Sequence, residues 1–183
     1  MTVYYVTSGD QKFKEIKDLI PTNLVVKQLS TYYPEEQDMD LRVICSFGAK
    51  WLANQIGKKV IVDDMGLFIK SLNGLPGPFT KFFAKGIKPS GVLKLMEGIN
   101  DRRASFKVCL GYCEPRSEPI TFIAERKGII SNNVITGPYD YGFNSIFIPQ
   151  GTSKCLAELT FEEKIKDEPR RKAFKELIKM IKE

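Results

Sequence analysis

The chain has 183 residues, 43% of them hydrophobic and 27% charged, enough for one domain with a sizeable core and room for two lobes. It contains no histidine, which excludes imidazole-based zinc sites, triads that need an imidazole base and any histidine pH switch. The net charge of +6 is spread along the chain: residues 80–107 hold seven Lys/Arg against two acids, while residues 31–40 hold Glu35, Glu36, Asp38 and Asp40. Neighbouring basic and acidic zones suit a polyphosphate held between lysines and a cation, and equally an ordinary solvated surface.

In chain order, Val3–Val6 is a β-rich run closed by Ser8 and Gly9, followed by a helix that puts Phe13, Ile16 and Ile20 on one face. Leu24–Leu29 reads as a second strand and Pro34 opens an acidic loop. From Leu41 to Ile56, apolar or small residues recur at three-and-four spacing, the surest helix in the chain. Lys59–Asp64 is a nearly continuous apolar run ending in two aspartates, expected as a buried strand whose carboxyl end opens at a site. GLFIKSL reads as a further strand, and Asn73–Pro78 as a turn block that forbids regular structure. Two short helices follow near 80–85 and 90–97, then a meander of strands over 103–113 and 119–130, with Gly137 and Pro138 breaking the chain beyond. Pro169 opens a last helix carrying Phe174, Leu177, Ile178 and Ile181.

No window approaches the ~18–20 apolar residues of a membrane span, and the first residues lack the cationic start of a secretory signal, so a cytoplasmic protein is expected. Cys45, Cys109, Cys113 and Cys155 read as buried reduced thiols, because Cys109 and Cys113 on one strand would stand about 13 Å apart.

Four constellations could carry chemistry. Thr7-Ser8-Gly9-Asp10-Gln11-Lys12, between a strand and a helix, offers backbone donors, hydroxyls and an ammonium to an anion, with a capping turn as the alternative. It lacks the Walker A spacing. Glu35 and the pair Asp63-Asp64, with no histidine at hand, suit a hard cation that bridges carboxylates to phosphate; exposed acids near turns are the bland reading. Tyr141-Gly142-Phe143-Asn144 could stack on a base or form core. Lys164 and Arg170-Arg171-Lys172 could meet phosphate or a purine carbonyl, or form a solvated basic face.

In this order the segments VTSGDQKFKE, YPEEQ, FGAKWL, VIVDDMGLFI, LNGLPGPF, YGFNSIFIP and LAELTFEEK, followed by RRKAF, resemble the noncanonical purine nucleoside triphosphate pyrophosphatases, the inosine triphosphatase-like family. The resemblance covers nearly the whole chain, and its most specific block is DDMGL with LNGLPGP. It implies an α/β fold: an elongated central mixed β-sheet flanked by helices, two lobes around a deep cleft in one domain spanning 1–183, and a homodimer. It implies that ITP, XTP or dITP is cut to monophosphate and pyrophosphate, cleansing the nucleotide pool. The cofactor would be Mg²⁺, with Mn²⁺ as a substitute. Lys12 and Asp64 would be catalytic, Asp64 as general base; Glu35 and Asp64 would bind the metal. Thr7, Ser8, Gly9, Asp10, Gln11 and Lys12 would hold the triphosphate. Tyr141, Gly142, Phe143 and Asn144 would line the base pocket, Lys164 would contact the nucleotide, and Arg170 would face the purine carbonyl.

This chain departs from the family pattern at several of these positions. Gly9 replaces an asparagine, Phe47-Gly48 stands where many members have a lysine, with Lys50 nearby, and Met65 replaces a hydroxyl residue. Asn144 replaces an aspartate, and Glu168-Pro169 replaces Ser-His ahead of Arg170. A nucleotide-binding paralogue without catalysis and a basic nucleic-acid-binding module are the other two functions these residues allow.

Overall fold

The computed structural model describes residues 1–182; Glu183, at the end of the expected domain, lies outside the described residues. Its strands are β1 (Thr2–Val6), β2 (Val25–Leu29), β3 (Val60–Ile69), β4 (Pro76–Gly77), β5 (Arg103–Cys113), β6 (Ile120–Ile130) and β7 (Phe147–Pro149). Its helices are α1 (Asp10–Lys14), α2 (Leu41–Ile56), α3 (Thr80–Gly86), α4 (Lys88–Leu95), α5 (Phe161–Lys166) and α6 (Pro169–Lys182). The strands form one mixed sheet in the order β2-β1-β3-β5-β6-β7, with β4 paired to β3. β1 is parallel to both β2 and β3, whereas β3–β4 and β6–β7 are antiparallel. The α/β class with a mixed sheet is as expected.

The chain divides into two compact units, the first built from Met1–Asp64, Val108–Ala124 and the chain from Pro169, the second from Met65–Lys107 and Glu125–Glu168. In the first unit, α2 begins on an Asp40 side chain that accepts from the Arg42 amide at 2.9 Å. It ends on Gly57 in the left-handed region, where glycine carries no steric penalty. Its small face lies close to β5: Cys45 donates its thiol to the Cys109 carbonyl at 3.2 Å, and a β-carbon on Gly111 would stand 2.4 Å from the Cys45 carbonyl oxygen. All four cysteines are free and buried, as expected. On α6, Phe174, Leu177 and Ile178 are buried at the helical spacing read from the sequence. The second unit has its own apolar cluster, in which Leu67, Ile69, Val92, Met96, Phe106, Phe143 and Phe147 take part. The Phe106 and Phe147 rings meet edge-on at 4.8 Å.

Three local expectations need correction. β3 does not stop at the aspartates: one ten-residue strand carries Asp63 and Asp64 in its middle, and residues 70–72 form a 3-10 turn. The continuation is supplied by β4 inside the turn block, where Pro76 and Gly77 pair with Phe68 and Leu67. Gly66 permits that approach, because a β-carbon there would lie 2.3 Å from the Gly77 carbonyl oxygen. The first helix is also shorter than its periodicity suggests. It yields after Lys14, and the Glu15 carbonyl accepts from Arg171 Nη1 at 2.8 Å instead of continuing the helical ladder.

Candidate functional site

The turn after β1 is held by its own polar groups. The Gly9 amide donates to Thr7 Oγ1 at 3.0 Å, and Gln28 Nε2 donates to the Thr7 carbonyl and to Asp10 Oδ1, each at 3.2 Å. Ser8, Asp10 and Gln11 are exposed. Lys12, half-buried, turns its ammonium toward β3 and donates to Asp63 Oδ1 at 2.5 Å and to the Asp63 carbonyl at 3.3 Å. Gly9 has an extended backbone with room for a β-carbon, 3.6 Å from Thr7 Oγ1, so an asparagine would fit there without strain.

The two neighbouring aspartates do different work. Successive residues of a strand face opposite sides, and the Asp63 side chain is fully buried. Besides Lys12 it accepts from the Tyr5 hydroxyl at 2.7 Å and from Arg170 Nε at 2.5 Å. Burial alone would raise its pKa, but the charges of Arg170 and Lys12 and their hydrogen bonds outweigh it, holding the carboxyl well below the usual range. Arg170, placed against a purine carbonyl by the family resemblance, is buried here. Its Nη1 donates to Glu15 and its other two nitrogens face Asp63. Tyr5 and Glu15 were not singled out as site residues, and Asp63, expected with Asp64 to suit a hard cation, is instead committed to Lys12 and Arg170. The only hint was Glu15 three positions beyond Lys12, and its partners lie too far along the chain for spacing to show.

Asp64 is half-buried and Glu35 exposed. Both act on one phenol: the Tyr33 hydroxyl is pushed up by burial first, then by the negative charges of Glu35, Asp64 and Asp63. Glu35 and Asp64 therefore share an electrostatic neighbourhood. Tyr33 itself lies on α2 at Gly48, where a β-carbon would stand 2.8 Å from its ring. The position where many relatives of the resembling family carry lysine is thus filled by a tyrosine ring. The Lys50 ammonium is on Glu118 at 2.7 Å, in a solvent-exposed pair.

In the second unit, Lys164 is buried on α5 and donates to the Tyr141 hydroxyl; its ammonium also stands over the rings of Tyr141 and Tyr139, 4.9 and 5.8 Å from their centres. Tyr141 and Gly142 are exposed. Phe143, expected to line a base pocket, has its ring in the core, 1% exposed. Asn144 is also buried, and its amide donates to the Tyr139 carbonyl at 3.0 Å, so both residues shape the turn that presents Tyr141. Met65 packs against the apolar cluster. Arg126 was also missed, hidden in an alternating strand pattern. Its guanidinium donates to the carbonyls of Asp167 at 2.9 Å and Lys164 at 2.5 Å, and lies 3.7 Å from the buried Glu168. That ion partner accounts for a carboxylate where the family pattern has serine.

An ammonium held beside a hydroxyl-bearing turn, with oxygen-only acidic donors in the same unit, can take a polyphosphate and a hard cation. Among the described residues no group of three or more acidic, cysteine or histidine side chains is placed to hold a metal by itself. The donors fit Mg²⁺, which keeps several waters and takes one or two carboxylates together with phosphate oxygens.

Known proteins point the same way. This chain is 40% identical over 174 residues to a dITP/XTP pyrophosphatase of Methanopyrus kandleri, covering 94% of this chain and 92% of that one. It is 36% identical over 183 residues to a dITP/XTP pyrophosphatase of Pyrococcus horikoshii, covering 100% and 97%. The solved Ham1 protein of Staphylococcus aureus superposes with a TM-score of 0.89 at 23% identity, over 100% of this chain and 98% of that one, which establishes the shared fold. The Ham1 family model matches residues 3–180. A match of that extent, over the turn, the paired aspartates and the carboxy-terminal helix alike, makes this chain a member of the Ham1 family.

Proposed function

We propose that this chain is a nucleoside triphosphate pyrophosphatase acting on dITP, XTP and ITP, releasing the monophosphate and pyrophosphate. The observation that carries the reading is the Lys12 ammonium set beside the hydroxyl-bearing turn of Thr7 and Ser8, in the unit that also holds Glu35 and Asp64. The full-length likeness to dITP/XTP pyrophosphatases supports the same substrates.

In this reading Lys12, Thr7 and Ser8 bind the triphosphate. Fixing the chain of phosphates in line with the attacking water supplies much of the rate, since phosphoryl transfer depends mainly on positioning and charge neutralisation. Asp64 accepts the proton of the water that attacks the α-phosphorus, while the bond from that phosphorus to the α–β bridging oxygen breaks and pyrophosphate leaves. Glu35 and Asp64 would hold Mg²⁺, or Mn²⁺ in its place, which when bound neutralises phosphate charge and makes water easier to deprotonate. Tyr141 offers an exposed ring to the base, and Lys164, held against it, orients that ring. We further propose a homodimer, as the resemblance implies; sedimentation analysis tests it.

Three of the seven cations in the basic stretch 80–107 are engaged within the protein, while Lys81, Lys85, Lys88 and Lys94 are exposed. Arg102 spends its guanidinium on the carbonyls of Ile130, Met96 and Ser131, Arg103 is paired with Asp101, and Lys107 stands over the Phe68 ring. Among the described residues no helix is long and apolar enough to cross a membrane.

The test is pyrophosphate release from dITP, XTP, ITP, GTP and ATP with Mg²⁺ or Mn²⁺. Turnover of the first three is expected, and no release from any nucleotide rejects the enzyme reading; calorimetric binding of ITP without release would identify a nucleotide-binding protein instead. Asp64→Asn is expected to cut kcat by at least about a hundredfold with the circular dichroism spectrum unchanged. Full activity in that variant would mean another base.

A further inference from the structure

A network of charge runs from the interior of the first unit to its phosphate-binding turn. Asp63, fully buried in its side chain, sits between two cations. Arg170 Nε and the Tyr5 hydroxyl both bind its Oδ2, at 2.5 and 2.7 Å, while Lys12 takes Oδ1 at 2.5 Å. Behind Arg170, Glu15 accepts from Nη1, and Arg171 closes the other side by donating to the Glu15 carbonyl at 2.8 Å and to Asp18 at 2.6 Å. The side chains of Asp63, Glu15 and Arg170 are no more than 4% exposed, whereas that of Lys12 is 33% exposed. The network reaches solvent at two ends, through the Lys12 ammonium at the turn and through Asp18, 61% exposed, on the far side.

Removing any inner member would leave a buried charge without its partner, the most costly kind of polar defect. The inner pairing therefore fixes Asp63 in one orientation, and a fixed carboxylate offers Lys12 one geometry. Arg170 is 3% exposed, and each of its three nitrogens lies on or near a carboxylate oxygen, so its charge is committed inside the unit.

From this geometry we infer that Arg170, together with Tyr5 and Glu15, is a positioning group: it locks Asp63, and Asp63 sets the Lys12 ammonium for the triphosphate. The inference rests on the reading of Lys12 as a phosphate-binding residue and goes beyond it by assigning three residues that act through Asp63.

Inorganic tripolyphosphate is the discriminating probe, because it offers the phosphates and no base. Its binding to the parent protein, Tyr5→Phe and Arg170→Lys is measured by calorimetry, and kcat/KM is measured with ITP and ATP. Tyr5→Phe removes one hydroxyl and is expected to weaken tripolyphosphate binding about threefold to tenfold, and Arg170→Lys by more, because a compact ammonium cannot reproduce the planar fork. Tyr5→Phe is expected to lower kcat/KM for ITP and ATP by a common factor, leaving their ratio within about twofold of the parent. Tripolyphosphate binding unchanged in Tyr5→Phe, or no tripolyphosphate binding by the parent, overturns the inference. So does an ITP-to-ATP ratio that falls about tenfold or more in Tyr5→Phe, the mark of a change at the base instead of at the phosphates. If Arg170→Lys does not fold, Tyr5→Phe carries the test. A parent that binds tripolyphosphate but releases no pyrophosphate would defeat the pyrophosphatase reading and leave this one standing on the binding measurements.

Discussion

Gly48 leaves space on α2 for the Tyr33 ring, and the acidic loop with Glu35 follows from that placement. Alanine in mid-helix gains about 1 kcal/mol over glycine from propensity alone. At this position the new β-carbon would also meet the ring 2.8 Å away, so the ring must shift and carry the loop with it. Gly48→Ala is therefore expected to change the melting temperature by only a few degrees, because gain and loss offset, while raising the Mg²⁺ needed for half-maximal turnover about fivefold. A magnesium titration of the two proteins checks this; superimposable curves would show that Tyr33 does not place Glu35. The paired aspartates show the same dependence on a single position. Residue type alone marked Asp64 and Glu35 as candidates for a cation, but the separation of duties between Asp63 and Asp64 comes from strand alternation and from partners that periodicity does not reveal.

Elements were legible where their determinants are local. α2 follows from its apolar spacing, its Asp40 cap and its terminal glycine, all within the segment. Asp40→Ala should cost about 1 kcal/mol, read as a lower urea midpoint with an unchanged m-value. A change in m would indicate that more than the cap was lost. β5 and β6 were equally legible from alternation. The failures share one cause, a distant partner that overrides a local pattern. β3 runs on past Asp64 because Pro76 and Gly77 pair with it, and α1 stops at Lys14 while Glu15 is engaged by an arginine 155 residues further on. In the second unit, Arg126 looked like one charged residue among others in a strand, yet it holds the end of α5 and with it Lys164. The base-pocket expectation for Phe143 gave way to core burial for a related reason: a bulky ring beside a glycine turn finds apolar neighbours before it finds solvent.

For the molecule as a whole, the absence of histidine and the state of Asp63 together shape the response to pH. The folded pKa of Asp63 lies below the unfolded value near 4, so its contribution to stability is present above that value and disappears as pH falls toward the folded one. Unfolding free energy from urea titrations is expected to be nearly flat between about pH 5 and 7, where no imidazole titrates, and to fall below about pH 4. Asp63→Asn should remove part of that acid slope and lower stability at neutral pH, because Arg170 then loses one of its two buried carboxylates and keeps only the pair with Glu15. A steep change near pH 6 would contradict this account. The boundaries of the two units were not legible, since three of their four crossings fall inside β3, β5 and β6 instead of in a linker of distinctive composition. That interleaving also bears on how the protein is born. Asp63 and Glu15 leave the ribosome long before the arginine they share has been translated, so the amino-terminal portion cannot complete its buried ion pairs until α6 arrives, and a nascent chain stalled before Arg170 would be the natural prey of proteases.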